Sequence, residues 1–418
     1  MNQLKINSDR YENLLLELSK ITDINSPYTR RSFSSLYLEG REWLTKKMID
    51  LGLDVHIDHA GNLIGRRQGI IDNNFSPNTI TIGSHTDTVP NGGRYDGIAG
   101  VIAGLECVAT MNDLGIKLNH NLEIIDFLAE EPSEWNISCV GSRGISGFLN
   151  SNLFNTKHPN TGELLSDAIS RMGGDTKKLE KVNHIKAFFE LHIEQGKVLE
   201  NNKINIGIVN SIVGITRIQV EFSGSSNHAG TTPMNLREDA GLAASKLIVA
   251  ANEFAKEFSL LENKYFVATA GQLFLSPNAS NVVSGNSKIV FDIRSSDKNL
   301  LDIYREKLLD EANKIATQDN ILLNNFEILT NTTPAYCDEN LINILKEISN
   351  KNGTSSLIMA SGAGHDAAFI SYVAPISMIF VPSKEGKSHC PEEYTSKEEL
   401  AIGTNILFET ILKYDLTN

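Results

Sequence analysis

Apolar and polar positions follow two different rhythms along this chain. Across residues 9–21, Tyr11, Leu14, Leu15 and Leu18 recur at helical spacing among Glu12, Glu17 and Lys20, which predicts an amphipathic first helix. A second helical pattern covers residues 38–51. Apolar strand-like runs follow at 54–59, 79–85, 122–128 and 187–192, and residues 100–112 read as a crossover helix between two of them. This alternation predicts an α/β fold with a mostly parallel central sheet. The rhythm changes near Asn210. Residues 215–222 alternate like a half-buried strand, and 235–258 form a long helical pattern rich in Ala and Leu. Residues 265–275 and 288–294 read as strands around the turn-rich SPNASNVVSGN; 299–317 are helical and 321–329 strand-like. The order βαββαβ predicts a split, ferredoxin-like unit. Residues 211–331 are therefore expected to form a second domain inserted into a first, made of 1–210 and 332–418. The first domain resumes with a helix, a Gly-rich turn at SGAGHDA, a strand at 375–381 and a closing helix at 396–414.

Composition narrows the function. A chain of 418 residues that is 41% hydrophobic has enough apolar mass for two or three domains. A net charge of −13 argues against nucleic-acid and anionic-membrane partners. It leaves an anionic substrate open, because a local Arg cluster outweighs net charge. Cys107, Cys139, Cys337 and Cys390 are scattered with no CxxC pair, which argues against a disulfide framework or Cys-type zinc site. Cys390 adjoins His389 and is thereby a candidate ligand, although a free Cys more often behaves as a small apolar residue. No apolar run approaches the roughly 20 residues of a membrane span, and the N-terminus shows no secretory pattern. A soluble, cytoplasmic protein is the expectation.

The chemistry gathers in five short segments: GSHTDT, GGRYDG, AEEPSE, LHIEQG and KSHCPEE. They carry His85, Asp96, Glu131, His192 and His389. Most fall just after strand ends, where open α/β sheets bind ligands. Taken singly, each has an ordinary reading: a surface polar pair at HTD, a solvated turn at EE, a structural or loop histidine. Together they are what a two-metal hydrolytic site needs, with one carboxylate bridging two ions. Asp96, among Gly92, Gly93 and Gly97, is the expected bridge. His85 and Asp87 lie two apart on a strand, so Asp87 is expected to orient the second ring nitrogen of His85. Glu130 is left free to act as general base on a metal-activated water and to return the proton to the leaving nitrogen. His192 and Glu194 are expected on one face, while His120, His158 and His184 read as surface residues. In the second domain, SGSSNHAGTTP holds His228, a candidate oxyanion stabiliser. Asn281 lies in NASNVVSG, and Arg217 and Arg294 suit a carboxylate. Singly, these four read as ordinary polar surface.

These motifs, in this order over nearly the whole chain, resemble the M20 metallopeptidase-like amidohydrolases. Within them they resemble the hydantoinase/carbamoylase branch of N-carbamoyl-L-amino acid hydrolases, allantoate amidohydrolases and β-ureidopropionases. GSHTDTVPNGGRYDG resembles its first metal block and AEEPSEWNISCVGSRG its base-and-ligand block. In ELHIEQG the branch has His where peptidase members usually have an acidic ligand. The resemblance implies one ion on His85, Asp96 and His192, and another on Asp96, Glu131 and His389, with Glu130 as base. It implies that the inserted domain is a lid and forms a homodimer. It implies substrate contacts from Gln195, Arg217, Asn281 and Arg294, with His228 acting in its own subunit or in the partner. SGAGHDA, with His365 and Asp366, matches a branch motif and implies a supporting or substrate-contact role. The expected reaction is hydrolysis of the ureido or carbamoyl C–N bond of an N-carbamoyl-L-amino acid or allantoate. Zinc, manganese, cobalt and nickel all suit the mixed ligands. The rival readings are an aminopeptidase or N-acyl amino acid deacylase, and a non-catalytic metal- or ligand-binding homologue. His192 argues against the first and the intact Glu130 against the second.

Overall fold

A computed structural model describes residues 5–71, 77–262 and 264–417. In chain order it contains α1 (Ser8–Ser19), α2 (Ser35–Asp50), β1 (Asp54–Ile57), β2 (Leu63–Arg67), β3 (Thr79–His85), α3 (Ile98–Leu114), β4 (Asn121–Phe127) and α4 (Val140–Ser146). Short helices α5 (Ser151–Phe154) and α6 (Leu165–Arg171) lead to β5 (Ile185–Ile193), α7 (Val198–Asn202) and β6 (Ile206–Ile212). Then come β7 (Gly214–Ser223), α8 (Ala240–Ser259), β8 (Phe266–Ser276), β9 (Asn286–Ser295), α9 (Lys298–Gln318) and β10 (Leu322–Asn331). The chain closes with β11 (Ala335–Tyr336), α10 (Glu339–Asn352), β12 (Ser356–Ser361), α11 (Asp366–Ile370), β13 (Ile376–Val381) and α12 (Lys397–Thr417).

Two compact units divide the chain: Met1–Asn210 with Tyr336–Asn418, and Ser211–Ala335. The larger unit is a mixed α/β fold. Its sheet runs β1-β2-β4-β3-β5-β13-β6-β11, with β12 beside β6. The central strands β4, β3, β5 and β13 are mutually parallel, while β2 and β6 flank them antiparallel. Every residue of β3, β4 and β13 is buried. Both faces are covered, so burial does not alternate along these strands, even where the sequence does, as in Thr79–Ile82 of β3. Helix α3 is buried from Ile98 to Met111. Tyr11 Oη of α1 donates to Ala99 O (2.7 Å), and Arg10 pairs with the fully buried Glu106 (2.7 Å).

In the smaller unit the elements follow the order β7-α8-β8-β9-α9-β10 and form a four-stranded antiparallel sheet, β10-β7-β9-β8. Ile218, Val220 and Phe222 of β7 and Ile289, Phe291 and Ile293 of β9 alternate inward against Leu247 of α8 and Leu301, Tyr304 and Leu308 of α9. The long helix starts later than its apolar pattern predicts. Pro233 precedes a single 3-10 turn at Met234–Leu236, and Asp239 then caps α8 by accepting Gly241 N and Leu242 N. Strands β2, β6 and β12 lack a strong sequence signal. β2 is the return arm of a hairpin whose turn is held by Asp58 Oδ1 accepting Ala60 N and Asn62 N (both 2.9 Å).

Below β4 lies a buried ion pair. Arg41 Nε meets Asp126 Oδ2 at 2.9 Å, and the guanidinium also donates to Gly61 O and Asp126 O. Burial pushes Asp126 upward against the opposing pull of Arg41. Removing the cation strands a carboxylate in the core. Arg41→Leu should lower the unfolding free energy by about 3–5 kcal/mol in urea titrations. Adding Asp126→Leu should restore much of it, and a loss below about 1 kcal/mol in the single variant contradicts this assignment.

Candidate metal centre

The ends of the parallel strands converge on one point. His85 is the last residue of β3, and His192 is the penultimate residue of β5. Glu130 and Glu131 follow β4, and His389 follows β13. Asp96 comes from the loop that starts α3, where Ile98 N and Ala99 N donate to Asp96 O and Tyr95 O. β4 and β5 lie on opposite sides of β3, so the site occupies the crevice where the strand order reverses. Close approach dictates Gly97: its φ is +66°, and a Cβ there would stand 2.3 Å from His85 Nε2. Ala129, Gln195 and His389 also adopt positive φ (53°, 59° and 55°). Such strain in non-glycine residues is sustained only where surrounding contacts over-determine it.

Asp96 is the shared member. Its Oδ1 lies 3.1 Å from His192 Nε2 and 3.7 Å from His85 Nε2, and its Oδ2 lies 3.1 Å from His389 Nε2. His389 Nε2 is also 3.1 Å from Glu131 Oε1. Two groups with metal-ligand character thus meet at one carboxylate: His85–Asp96–His192 and Asp96–Glu131–His389. The donor set of imidazoles and carboxylates fits two first-row divalent ions or zinc. Glu130 Oε2 stands 3.7 Å from His85 Nε2, beside both groups and in neither.

The charges are tightly interlocked. Burial works against charge on Asp96, but hydrogen bonds from His192 and His389 hold it well below the usual carboxylate range. Hydrogen bonds to Asp96 and Glu131 push His389 up to about 11. Burial would lower His85, yet Glu130 and Asp87 raise it well above an ordinary imidazole. Burial drives Glu130 strongly upward, with His85 opposing and Glu131 adding to the rise. Without cations, protons on the imidazoles balance the carboxylates.

Some residues stand elsewhere than their motifs predict. His85 Nδ1 is held by the main-chain oxygen of Asp87 (3.0 Å), while the Asp87 carboxylate stands 3.6 Å away. That carboxylate instead accepts Glu130 N and Glu131 N (both 3.2 Å), fixing the turn that presents the two glutamates. Glu194 turns to cap α7, accepting Val198 N and Leu199 N. Gln195 Nε2 donates to Asp96 Oδ2 (2.7 Å), and its buried Oε1 has no partner among the described residues. His120, His158 and His184 are not bare surface residues. His120 pairs with Asp415, His184 with Glu123, and the His158 ring packs on Trp135. No candidate metal group among the described residues includes a cysteine.

In the smaller unit, the other candidates form two clusters. Arg217 and Arg294 both bind Asp292 (2.9 and 2.7 Å). His228 and Asn281 lie in adjoining loops joined by Ala229 N donating to Asn281 O and Val283 N to Asn227 O. Those loops leave the sheet at Ser223 and Asn286. Arg294 is eight residues further along β9, roughly 25 Å at 3.3 Å per residue.

A supporting layer surrounds the centre; His365 and Asp366 were expected in such a role, whereas Glu190, Ser388 and Glu393 were not singled out. Glu190 accepts Ser84 Oγ and Ala367 N, and the His365 ring packs edge-on against His192 with centroids 4.5 Å apart. Asp366 accepts from Ser142 Oγ (2.5 Å). Ser388 and Glu393 join Asp96 to the His389 loop. An acidic residue two positions before His192 on a buried strand was the available signal for Glu190.

Residues 81–413 match the model of peptidase family M20/M25/M40, so the chain belongs to that family. It is 34% identical over 411 residues to an N-carbamoyl-L-amino acid amidohydrolase of Geobacillus stearothermophilus, covering 97% of this chain and 98% of that one. It is 33% identical over 427 residues to a ureidoglycolate hydrolase of Arabidopsis thaliana (99% and 88% covered). An allantoate amidohydrolase of Bacillus subtilis is 33% identical over 392 residues (92% and 92%). Among solved structures, a hydantoinase/carbamoylase family amidase from Burkholderia multivorans superposes with a TM-score of 0.91 at 30% identity, covering 98% of both chains.

Because His389 is held protonated by its carboxylate partners, a cation entering its group must displace a proton. Cation affinity should therefore rise with pH, by about tenfold per unit for each proton displaced, across the range below the imidazole pKa. Calorimetric titration in two buffers of different ionisation enthalpy reads the released proton directly. Equal heats in both buffers contradict it.

Proposed function

We propose that this member of the M20/M25/M40 family is a binuclear metal amidohydrolase. It hydrolyses the ureido or carbamoyl C–N bond of a small carboxylate such as an N-carbamoyl-L-amino acid, allantoate or ureidoglycolate. The observation that carries this reading is the sharing of Asp96 between two imidazole–carboxylate groups with Glu130 beside them. His85, Asp96 and His192 would hold one ion; Asp96, Glu131 and His389 the other. Such ions supply a water that ionises near neutral pH and draw charge from the ureido carbonyl.

The chain's own residues handle the proton. Glu130 Oε takes a proton from the attacking water as oxygen bonds to the ureido carbon, then delivers it to the departing nitrogen as the C–N bond breaks. An N-carbamoyl amino acid and one water yield the amino acid, carbon dioxide and ammonia. Gln195, with an unpartnered carbonyl oxygen, offers an acceptor to a substrate N–H. We assign the substrate carboxylate to Arg294 and Arg217, and oxyanion stabilisation to His228, with Asn281 as a further contact.

The smaller unit is assigned the roles of lid and dimer contact. Its edge strand β8 leaves Val267, Leu273 and Phe274 about half exposed, a surface suited to a second copy. Roughly 25 Å of β9 separates Asn286, where the His228 and Asn281 loops leave the sheet, from Arg294, farther than one small molecule spans. A shared substrate would therefore draw one cluster from each of two protomers. Net negative charge and four free cysteines support a cytoplasmic setting, and no helix among the described residues is long and apolar enough to cross a membrane.

Ammonia release by cation-reconstituted protein on the three ureido substrates tests the reaction. Free amine from dipeptides or N-acyl amino acids, without ammonia, would overturn it. Glu130→Gln should keep its cations and lose at least about 10²-fold in kcat. Turnover that survives removes Glu130 as base. If two protomers share each substrate, inactive Arg294→Leu and His228→Ala proteins, mixed and reassociated, should regain about a quarter of wild-type activity. No recovery argues for a site served by one protomer.

A further inference from the structure

The loop after β13 contains two adjacent glutamates with opposite fates: Glu392 is exposed and Glu393 is buried. The Glu393 carboxylate is fully engaged. Its Oε1 accepts the successive main-chain amides Tyr95 N (2.9 Å) and Asp96 N (3.1 Å). Its Oε2 lies 3.0 Å from Ser388 Oγ, and Ser388 Oγ is 2.9 Å from Asp96 Oδ2. The carboxylate lies against Gly93, where a Cβ would fall 1.8 Å from Oε1, so any larger residue there would expel it. Glu393 N closes its own turn on Cys390 O (3.0 Å).

One side chain therefore ties together the two loops that supply Asp96 and His389. His389 needs such a tie. It is exposed, its backbone is in the left-handed region, and it enters the site from a loop rather than a strand. His85 and His192, in contrast, sit on fully buried strand ends.

We propose that Glu393 is a positioning residue that sets the aim of Asp96, and with it the cation affinity of the Asp96–Glu131–His389 group. The inference rests on the two-cation reading above. Glu393 grips the peptide that carries Asp96, and Ser388 passes that grip to Oδ2, the oxygen that faces His389. The His85–His192 side keeps its strand-borne ligands without this clamp, so loss of Glu393 acts unequally on the two groups. Removing a residue that orients a metal ligand weakens binding by about 10–100-fold.

The test is titration of metal-free protein with Co(II), followed by calorimetry and visible absorption, with thermal unfolding as the folding control. Wild type should take two equivalents. Glu393→Ala should take both equivalents, the second about 10–100-fold more weakly and the first much less affected, with a changed absorption band. Glu393→Gln keeps an oxygen for the two amides and should recover most of the second site. If Glu393→Ala fails to fold, Ser388→Ala decides, since it removes the hydroxyl between Glu393 and Oδ2 and leaves the grip of Glu393 on the two amides; a weakened second equivalent is again expected. Two equivalents bound with wild-type affinity and spectrum in the folded variants overturn the proposal. Wild type binding fewer than two overturns both this proposal and the two-cation reading. Wild type binding two without hydrolysing any ureido substrate overturns the reaction alone and leaves Glu393 in place.

Discussion

The structure of the centre depends on one carboxylate with two occupied sides. Asp96 Oδ1 faces His192 and His85, and Oδ2 faces His389. A carboxylate can serve both sides only if its plane is fixed, and several features fix it. The positive φ of Gly97 turns the chain directly into α3. The carbonyls of Tyr95 and Asp96 open that helix, and the amides of the same two residues are held by Glu393. Helix α3 is buried along most of its length and cannot slide without breaking its packing. The side chains around Asp96 are then constrained by charge. Carboxylates this close cannot all ionise in a buried setting without positive charge nearby. Burial, reinforced by neighbouring carboxylates, lifts Glu130 and Asp366, while at Asp96 hydrogen bonds from His192 and His389 outweigh burial and hold it down. Cations in the two groups would relieve the repulsion that the imidazole protons otherwise offset.

The scaffold accounts for the precision. His85 and His192 ride on strands buried on both faces, so neither has backbone freedom to spend. The glutamates ride on a turn, and a turn needs its own support. Asp87 supplies it through two main-chain amides, and Ala129 takes up the bend at positive φ. Strain of this kind costs about 1–3 kcal/mol per residue and persists where hydrogen bonds outweigh it. That pattern separates the strand-borne candidate ligands from the loop-borne ones.

The α/β character and the parallel centre were legible in the chain because buried strands and helices leave different periods. Thr79–His85 is an unbroken run ending in a chemical motif, and its bounds coincide with β3. The start of α8 was not legible, because the apolar pattern continues through Met234 and Leu236 while the cap at Asp239 stops the helix there. The chemical candidates were readable as residue types at strand ends. Their partners were not. Whether Asp87 reaches His85 by side chain or main chain depends on a turn of a few ångströms, and spacing does not encode it. Glu393 was invisible for a related reason: beside Glu392 in a polar loop, nothing marks which of two carboxylates turns inward.

The arginine cluster bears on which anion suits this protein. Asp292 sits between Arg217 and Arg294, and although burial opposes its charge, hydrogen bonds and attraction from both arginines hold it ionised. Two guanidiniums against one carboxylate leave one net positive charge. On the reading proposed above, a substrate monocarboxylate would meet that charge, whereas a neutral amide would give up its hydration there with no charge in return. Asp292 accepts from Nε of each guanidinium and also from Nη2 of Arg294, which holds both side chains in a set direction. Under that proposal, preference for a small monoanion would come from charge balance within one sheet, a separate matter from the chemistry proposed at Asp96.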